Sequence, residues 1–193
     1  MDRRTFVGAT AATVGTALAG CSAPGSERSL GTPRVETERD GEEKHLVFER
    51  GGDEVLTITL QQRALTLAPS GRYALRVTMS HSEDTRLQRF QFDFKSPTTT
   101  PGAPADIYLK QPDGGPWPDI DFGRVENQWT RIGVEELDDL GAGTLGFEII
   151  VAPLDEGGDS VGVRPDVLLA TTGLLSGGPL RAETQTEFTP VLD

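Results

Sequence analysis

The sequence predicts an all-β fold, a single antiparallel β-sandwich of jelly-roll or immunoglobulin-like type, with about 7–9 strands and at most one short helix. Three observations lead to this prediction. Apolar and polar residues alternate in many short segments, which is typical of half-buried strands. Glycine- and proline-rich turns separate those segments every 8–15 residues or so. Roughly 150 residues follow this pattern, which is enough for one hydrophobic core.

The alternating segments follow one another along the chain in a regular order. They are centred on residues 46–48, 56–60, 73–79, 90–94, 107–109 and 145–151, with weaker candidates at 161–169 and 181–189. The polar residues 81–86 are short enough to connect two of these strands as a hairpin. That hairpin would place the aliphatic row of residues 73–79 beside the phenylalanine row of residues 90–94 on one face.

The remaining segments predict connections rather than strands. Residues 96–105 contain three prolines and are expected to form a long exposed loop. Residues 134–140 are acidic and are followed by a glycine, which favours one or two helical turns. Residues 22–43 have hardly any aliphatic side chains and are expected to be a flexible tether. The predicted organisation is therefore a signal at 1–20, a modified cysteine and acidic tether at 21–43, and the sandwich at 44–193.

The first 21 residues have the three-part order of an export signal, and the apolar stretch is too short to span a bilayer. Arg3, Arg4 and Phe6 match the twin-arginine core, and a lipobox follows at Leu18, Ala19, Gly20 and Cys21. The leader therefore resembles the twin-arginine signals of lipoproteins. The resemblance implies export of the folded chain by the twin-arginine machinery, cleavage before Cys21 and a lipid on its sulfur. The protein would then be extracytoplasmic and attached to the outer face of the cell membrane.

The chain is strongly acidic, with a formal net charge of −12. Removing residues 1–20 takes away one acid and two bases and leaves 29 acidic against 16 basic residues, a charge of −13. With only three lysines, this composition resembles the secreted proteins of haloarchaea. In molar salt the Debye length is about 3 Å, so such a surface repels itself only weakly. The absence of basic clusters after residue 20 argues against nucleic acid and anionic lipid headgroups as ligands.

The sequence carries no recognisable catalytic motif, and we predict a non-enzymatic protein without a cofactor. Once Cys21 carries a lipid, no thiol is left for a disulfide, a zinc-thiolate site or blue copper. His45 and His81 are the only histidines and lie in no metalloprotease pattern. The Gly-x-Ser-x-Gly sequence of many hydrolases is also absent.

One turn-rich segment, residues 112–122, concentrates unusual side chains. Its carboxylates Asp113, Asp119 and Asp121 would supply oxygen ligands to calcium, although their spacing differs from an EF-hand loop. Alternatively, Trp117, together with Trp129, would offer an aromatic surface to a sugar. The structural alternative places Trp117 at the end of the sandwich and Trp129 in its core.

Three functions remain open from the sequence. The favoured one is a membrane-anchored lipoprotein whose sandwich binds an envelope protein or glycan, because the chain combines an anchor, a tether and a β platform. The second is a small-molecule or carbohydrate-binding module associated with a transporter. The third is a hydrolase, which would need a cleft with a catalytic pair.

Overall fold

The computed structural model describes residues 26–63, 73–95, 106–110, 118–125, 129–137, 141–152, 160–172 and 177–191. These residues form two β-sheets packed face to face. Every strand pair recorded between described residues is antiparallel except the short pair at the N-terminus. The predicted all-β sandwich is thus confirmed.

The seven-stranded sheet has the order β1-β12-β11-β6-β9-β8, and β13 also pairs with β11. Its strands are β1 (Arg28–Ser29), β6 (Thr85–Lys95), β8 (Asp121–Val125), β9 (Trp129–Val134), β11 (Val161–Thr171), β12 (Leu180–Glu183) and β13 (Thr186–Phe188). The six-stranded sheet has the order β2-β3-β4-β5-β10-β7. Its strands are β2 (Arg34–Glu38), β3 (Glu43–Arg50), β4 (Asp53–Arg63), β5 (Tyr73–His81), β7 (Asp106–Lys110) and β10 (Leu145–Ala152).

A group of phenylalanines fills the centre of the space between the sheets. Phe90, Phe92 and Phe94 alternate along β6, so all three point inward. Phe147 of β10 faces them from the other sheet, with ring centroids 5.6, 5.4 and 6.3 Å from theirs, in that order. Stacked and edge-on ring pairs of this kind add to the stabilisation from burial alone.

The predicted hairpin between residues 73–79 and 90–94 is wrong. β5 pairs with β4 and β10 in one sheet, whereas β6 pairs with β9 and β11 in the other. The connection after His81 therefore crosses from one sheet to the other, and the two apolar rows face each other across the core. An alternating pattern identifies the buried face of a strand, but a two-layer fold can satisfy that face from the opposite sheet.

The sandwich begins before the predicted boundary at residue 44. β1 and β2 both lie within the segment predicted as a tether, and β2 pairs with β3 over its whole length. All five residues of β2 are exposed. An edge strand of this kind is held by backbone hydrogen bonds, which leave no apolar pattern in the sequence.

The described residues contain thirteen strands, more than predicted. Short edge strands supplement the apolar ones, and β9, which lies between β6 and β8 and has five buried residues, was not predicted. The only helical element among them is a three-residue 3-10 turn at Arg39–Gly41. The predicted helix at residues 134–140 is not formed over 134–137, since Val134 still belongs to β9. Residues 138–140 and the predicted loop at 96–105 lie outside the described residues.

Candidate functional site

The outer surface of the seven-stranded sheet carries charged side chains of both signs, and we call it the polar face. It consists of the outward positions of β6, β9, β11 and β12. The residues that define it are Arg89, Gln91, Asp93, Trp129, Arg131, Arg164, Asp166, Leu168, Arg181 and Glu183. Strand register brings them together, since side chains at paired positions of neighbouring strands lie side by side.

The Asp93 carboxylate is the most deeply enclosed charge of the polar face, with the residue only 8% exposed. Asp93 pairs in register with Arg131 of β9. Arg131 donates to it twice, from Nε to Oδ1 at 2.8 Å and from Nη2 to Oδ2 at 3.0 Å. The hydrogen bond to Asp93 raises the pKa of the Arg131 guanidinium. Two parallel charge-assisted bonds hold both side chains in one orientation.

A second pair of the same kind lies across the polar face. Arg181 of β12 donates from Nε and Nη2 to the two carboxylate oxygens of Asp166, at 2.9 and 3.0 Å. Glu183 adds a further ion pair with the Arg181 Nη2 at 3.2 Å. The hydrogen bond to Asp166 is the main reason that the pKa of Arg181 is raised.

Arg89 lies opposite Leu168, beside the second pair, and is held much more loosely. Its Nη2 is 3.6 Å from Asp166 Oδ2, and its Nη1 is 4.0 Å from Glu135 Oε2. Both contacts exceed hydrogen-bond length. The Arg89 Nε is buried and has no hydrogen-bond partner among the residues that the structure describes.

A groove of about 890 Å³ runs beside Arg89. A β-bulge between Leu168 and Leu169 interrupts the pairing of β11 with β6, and the backbone N–H of Leu137 donates to the Gln88 carbonyl at 3.1 Å. The segment after β9 therefore forms one wall. The residues that line the groove are Arg86, Leu87, Gln88, Arg89, Glu135, Glu136, Leu137, Leu168 and Ala170.

A smaller groove of about 430 Å³ lies further along the same face. Most of its lining residues are polar, and they include Gln91, Arg164, Gln185 and the two carboxylates held by arginines. Arg164 donates from Nε to the Gln185 side-chain oxygen at 2.8 Å. This arrangement of fixed donors and acceptors is suited to hydrogen bonding with a polar ligand.

Of the two tryptophans singled out in the sequence, the structure describes Trp129. It is 5% exposed, and the Arg164 guanidinium carbon lies 3.9 Å from the centre of its ring. A side chain on Gly162 would meet the ring at 3.1 Å, so the backbone of β11 approaches it closely. The ring therefore anchors the guanidinium, and Arg164 would have to move for a sugar to stack there. Trp117 lies outside the described residues.

Two of the three carboxylates predicted to bind calcium are described. Asp119 is exposed, and Asp121 is the exposed first residue of β8. Asp113 lies outside the described residues, so the complete calcium site stays a prediction. In the part of the chain that the structure describes, no group of three or more His, Cys, Asp or Glu side chains is arranged to hold a metal ion.

The two histidines lie at separate places in the fold. The His81 Nδ1 is 3.0 Å from the Ser82 carbonyl, and its Nε2 accepts from the Gly143 N–H at 3.2 Å. His81 thus fastens two loops together. The His45 Nδ1 lies 3.0 Å from the Thr59 hydroxyl on the outer surface of the six-stranded sheet, to which His81 also belongs.

On the six-stranded sheet, Glu148 forms an ion-pair centre with two cations. Its carboxylate accepts from the Arg76 Nη2 and the Lys110 Nζ, each at 2.6 Å. Burial alone would raise the pKa of Glu148, but these two cations outweigh it and lower the pKa.

The leader residues Arg3, Arg4 and Phe6, together with the lipobox that ends at Cys21, lie outside the described residues. Within the described ranges, no helix has the length and apolar character needed to cross a membrane.

Sequence reasoning missed the polar face. A sign of this face was present in the sequence: charged residues occupy polar positions of alternating strands, such as Asp93 between two phenylalanines and Asp166 within β11. Without the register, however, nothing paired Asp93 with Arg131 or Asp166 with Arg181.

Comparison with known proteins gives one family and several remote structural likenesses. A family model described as "Domain of unknown function (DUF8121)" matches residues 27–192. No curated protein matches the chain.

Among solved structures, the chain resembles a DUF4466 family protein from Parabacteroides merdae, with 14% identity and a TM-score of 0.40 over 72% of this chain and 44% of that one. It therefore spans less than half of that protein. It also resembles the human F-spondin reeler domain, with 9% identity and a TM-score of 0.38 over 88% of this chain and 96% of the domain. A third likeness is to a chain of the Coh-OlpA-Doc918 cohesin–dockerin complex from Clostridium thermocellum, with 11% identity and a TM-score of 0.35 over 64% and 96%, respectively.

Proposed function

This chain belongs to the DUF8121 family, and we propose that it is a non-enzymatic lipoprotein, anchored outside the cytoplasm through Cys21, whose sandwich binds an envelope protein or glycan. The polar face is the proposed binding surface.

The observation that carries the proposal is the enclosed pair of Asp93 and Arg131. A charge that is 8% exposed and bonded at two points keeps its position without a ligand. The second pair, formed by Asp166 and Arg181, extends the same fixed arrangement across the sheet. Association costs less entropy when the side chains at the interface are already ordered. The polar face is therefore suited to recognition.

The carboxylate of Glu148 is suited to a structural role rather than to catalysis. A general acid at neutral pH needs a raised pKa. Glu148, which the sheet partly buries, has a lowered pKa because two cations hold it ionised. It is therefore suited to a structural ion pair.

Site-specific crosslinking on intact cells tests the proposed binding surface. A photoreactive residue at Gln91, on the polar face, should crosslink to another envelope component. The same residue at Ser80, which is exposed on the other sheet, is the matched control and should crosslink much less. Crosslinks only to further copies of this chain, or equal crosslinking from both positions, would contradict the proposal.

Membrane attachment has its own test. Cys21→Ser removes the lipid acceptor and should release the exported chain from the membrane fraction. Replacing Arg3 and Arg4 together by lysine should keep the precursor inside the cell. An unchanged distribution of both variants would count against the anchor and the export route.

The smaller groove favours a second function, a small-molecule or carbohydrate-binding module associated with a transporter. Its volume of about 430 Å³ and its polar lining are suited to a small polar ligand. A thermal-shift screen against sugars in molar potassium chloride tests this function, because a ligand at 100 times its Kd adds about 2.7 kcal/mol of stability. A sugar that raises the melting temperature of the parent but not of Gln91→Ala would favour this second function. If no sugar raises the melting temperature, the binding of an envelope protein or glycan remains the proposed function.

A further inference from the structure

We propose that Arg89 is a carboxylate-binding site and that the groove beside it accepts an extended segment of a partner protein that carries a glutamate or aspartate. The inference deepens the proposed function and rests on it, since it names the chemistry of the partner at one part of the polar face.

The first argument is the contrast among three arginines on one face. Arg131 and Arg181 each donate two hydrogen bonds of 2.8–3.0 Å to a carboxylate. Among the described residues, the carboxylate oxygens nearest to Arg89 are 3.6 and 4.0 Å away. The nearer oxygen, on Asp166, already accepts from Arg181 at 3.0 Å. The Arg89 guanidinium therefore retains donor capacity that its neighbours have used.

The second argument is the enclosure of the same side chain. The Arg89 side chain is 29% exposed, and its Nε is buried without a hydrogen-bond partner. A buried donor without a partner is unusual in a folded protein. Much of the cost of dehydrating this guanidinium has been incurred on folding. An incoming carboxylate would meet a cation that is already positioned and poorly compensated, a setting in which charge-assisted bonds are strong.

The lining of the groove favours a peptide over a glycan. Leu168 and Ala170 place aliphatic surface beside Arg89, and none of the described lining residues is aromatic. A sugar would lack a ring to stack on, whereas aliphatic side chains of an extended peptide would contact this surface. Glu135 and Glu136, on the wall formed by the segment after β9, would pair with a basic residue of the bound peptide. The groove is thus complementary to a segment that carries an acid, an aliphatic residue and a base in succession.

Peptide titration followed by NMR tests this site on the full chain carrying Cys21→Ser, in molar potassium chloride. The probe is a capped hexapeptide with the sequence Glu-Val-Lys repeated twice. Its control has glutamine in place of glutamate, and an oligogalacturonate provides the carboxylate on a sugar. We expect the glutamate peptide to shift the Arg89 Nε–H and Leu168 amide signals and to bind at least tenfold more tightly than either comparison ligand.

Protein variants then assign the effect to the guanidinium. Arg89→Ala should weaken binding of the glutamate peptide at least tenfold. Arg89→Lys keeps the charge but lacks the paired N–H groups, and it should also weaken binding. Arg50→Ala, which removes an exposed arginine from the other sheet, should change Kd less than twofold. Thermal melting of each variant verifies that it is folded.

Three results would overturn the site. They are equal binding of the glutamate and glutamine peptides, unchanged binding by a folded Arg89 variant, and tighter binding of the oligogalacturonate. If Gln91 crosslinks a partner on cells while the Arg89 variants bind the peptide normally, this inference fails and the proposed function stands. If the photoreactive residue at Gln91 crosslinks to no envelope component on cells, the proposed function fails, whatever the peptide titration shows.

Discussion

Replacing Arg131 with alanine would leave the Asp93 carboxylate, in a residue that is 8% exposed, without its two hydrogen bonds. Removing one partner of a buried ion pair costs about 3–5 kcal/mol. The Arg131 side chain is 37% exposed, so water screens part of the interaction, and we expect a loss of about 2–3 kcal/mol. Asp93→Ala should cost less, about 1 kcal/mol, because the arginine left behind can turn toward water.

Urea unfolding in molar potassium chloride measures this asymmetry, with the double variant completing a thermodynamic cycle. An m-value of about 1–3 kcal/mol/M means that the loss in Arg131→Ala would lower the unfolding midpoint by about 1 M or more. The double variant should be more stable than Arg131→Ala alone, since it no longer contains the unpaired carboxylate. The reasoning is refuted if Asp93→Ala costs as much as Arg131→Ala, or if the two effects simply add.

Three further predictions concern other parts of the molecule. Gly141→Ala would place its Cβ 1.9 Å from the Leu87 carbonyl oxygen, so we expect thermal unfolding to show a loss of several kcal/mol in the free energy of unfolding. Gly123→Ala is the control: its Cβ would enter open space, so it should cost about 1 kcal/mol or less. The pKa of Glu148 is lowered, so its ion pairs stabilise the fold at a pH above the unfolded pKa of 4.5, and this stabilisation is lost as the pH falls through the folded pKa. Glu148→Gln should therefore lose less stability than the parent between pH 5 and pH 3. An equal loss of stability in the two proteins would contradict this prediction. The melting temperature should fall when potassium chloride is reduced from molar to below a few tenths molar, since the net charge of −12 is then less screened, and an unchanged value would exclude adaptation to salt.

Much of the fold could be predicted because most long strands bury one face. The alternation of Leu56, Ile58 and Leu60 requires a strand in any β-sandwich, and β4 is found there. β2 and β8 were missed because exposed edge strands are selected by backbone pairing, which leaves no apolar period. β9 was missed for a different reason: five of its six residues are buried, so its sequence shows no alternation of apolar and polar side chains. The alternation of apolar and polar residues also could not predict to which sheet each strand belongs. β5 and β6 both have a row of buried apolar side chains, yet they belong to different sheets.

The candidate site was less predictable than the fold. Asp93 and Arg131 are 38 residues apart in the chain, and only the register of β6 with β9 makes them neighbours. A charged residue between two buried phenylalanines was visible in the sequence. Its enclosure was not, because that depends on how side chains from β9 and β11 cover it.

The early start of the sandwich also limits how far the domain could stand from the membrane. β1 begins at Arg28, so six residues, 22–27, separate Cys21 from the first strand. Fully extended, they would span about 20 Å, which is less than the thickness of a small domain. With Cys21 as the proposed anchor, the sandwich would lie close to the lipid surface, and its orientation relative to the membrane would be restricted. A partner would then have to bind the sandwich close to the membrane surface. Inserting a few dozen residues after Cys21 should allow the sandwich to bind partners farther from the membrane.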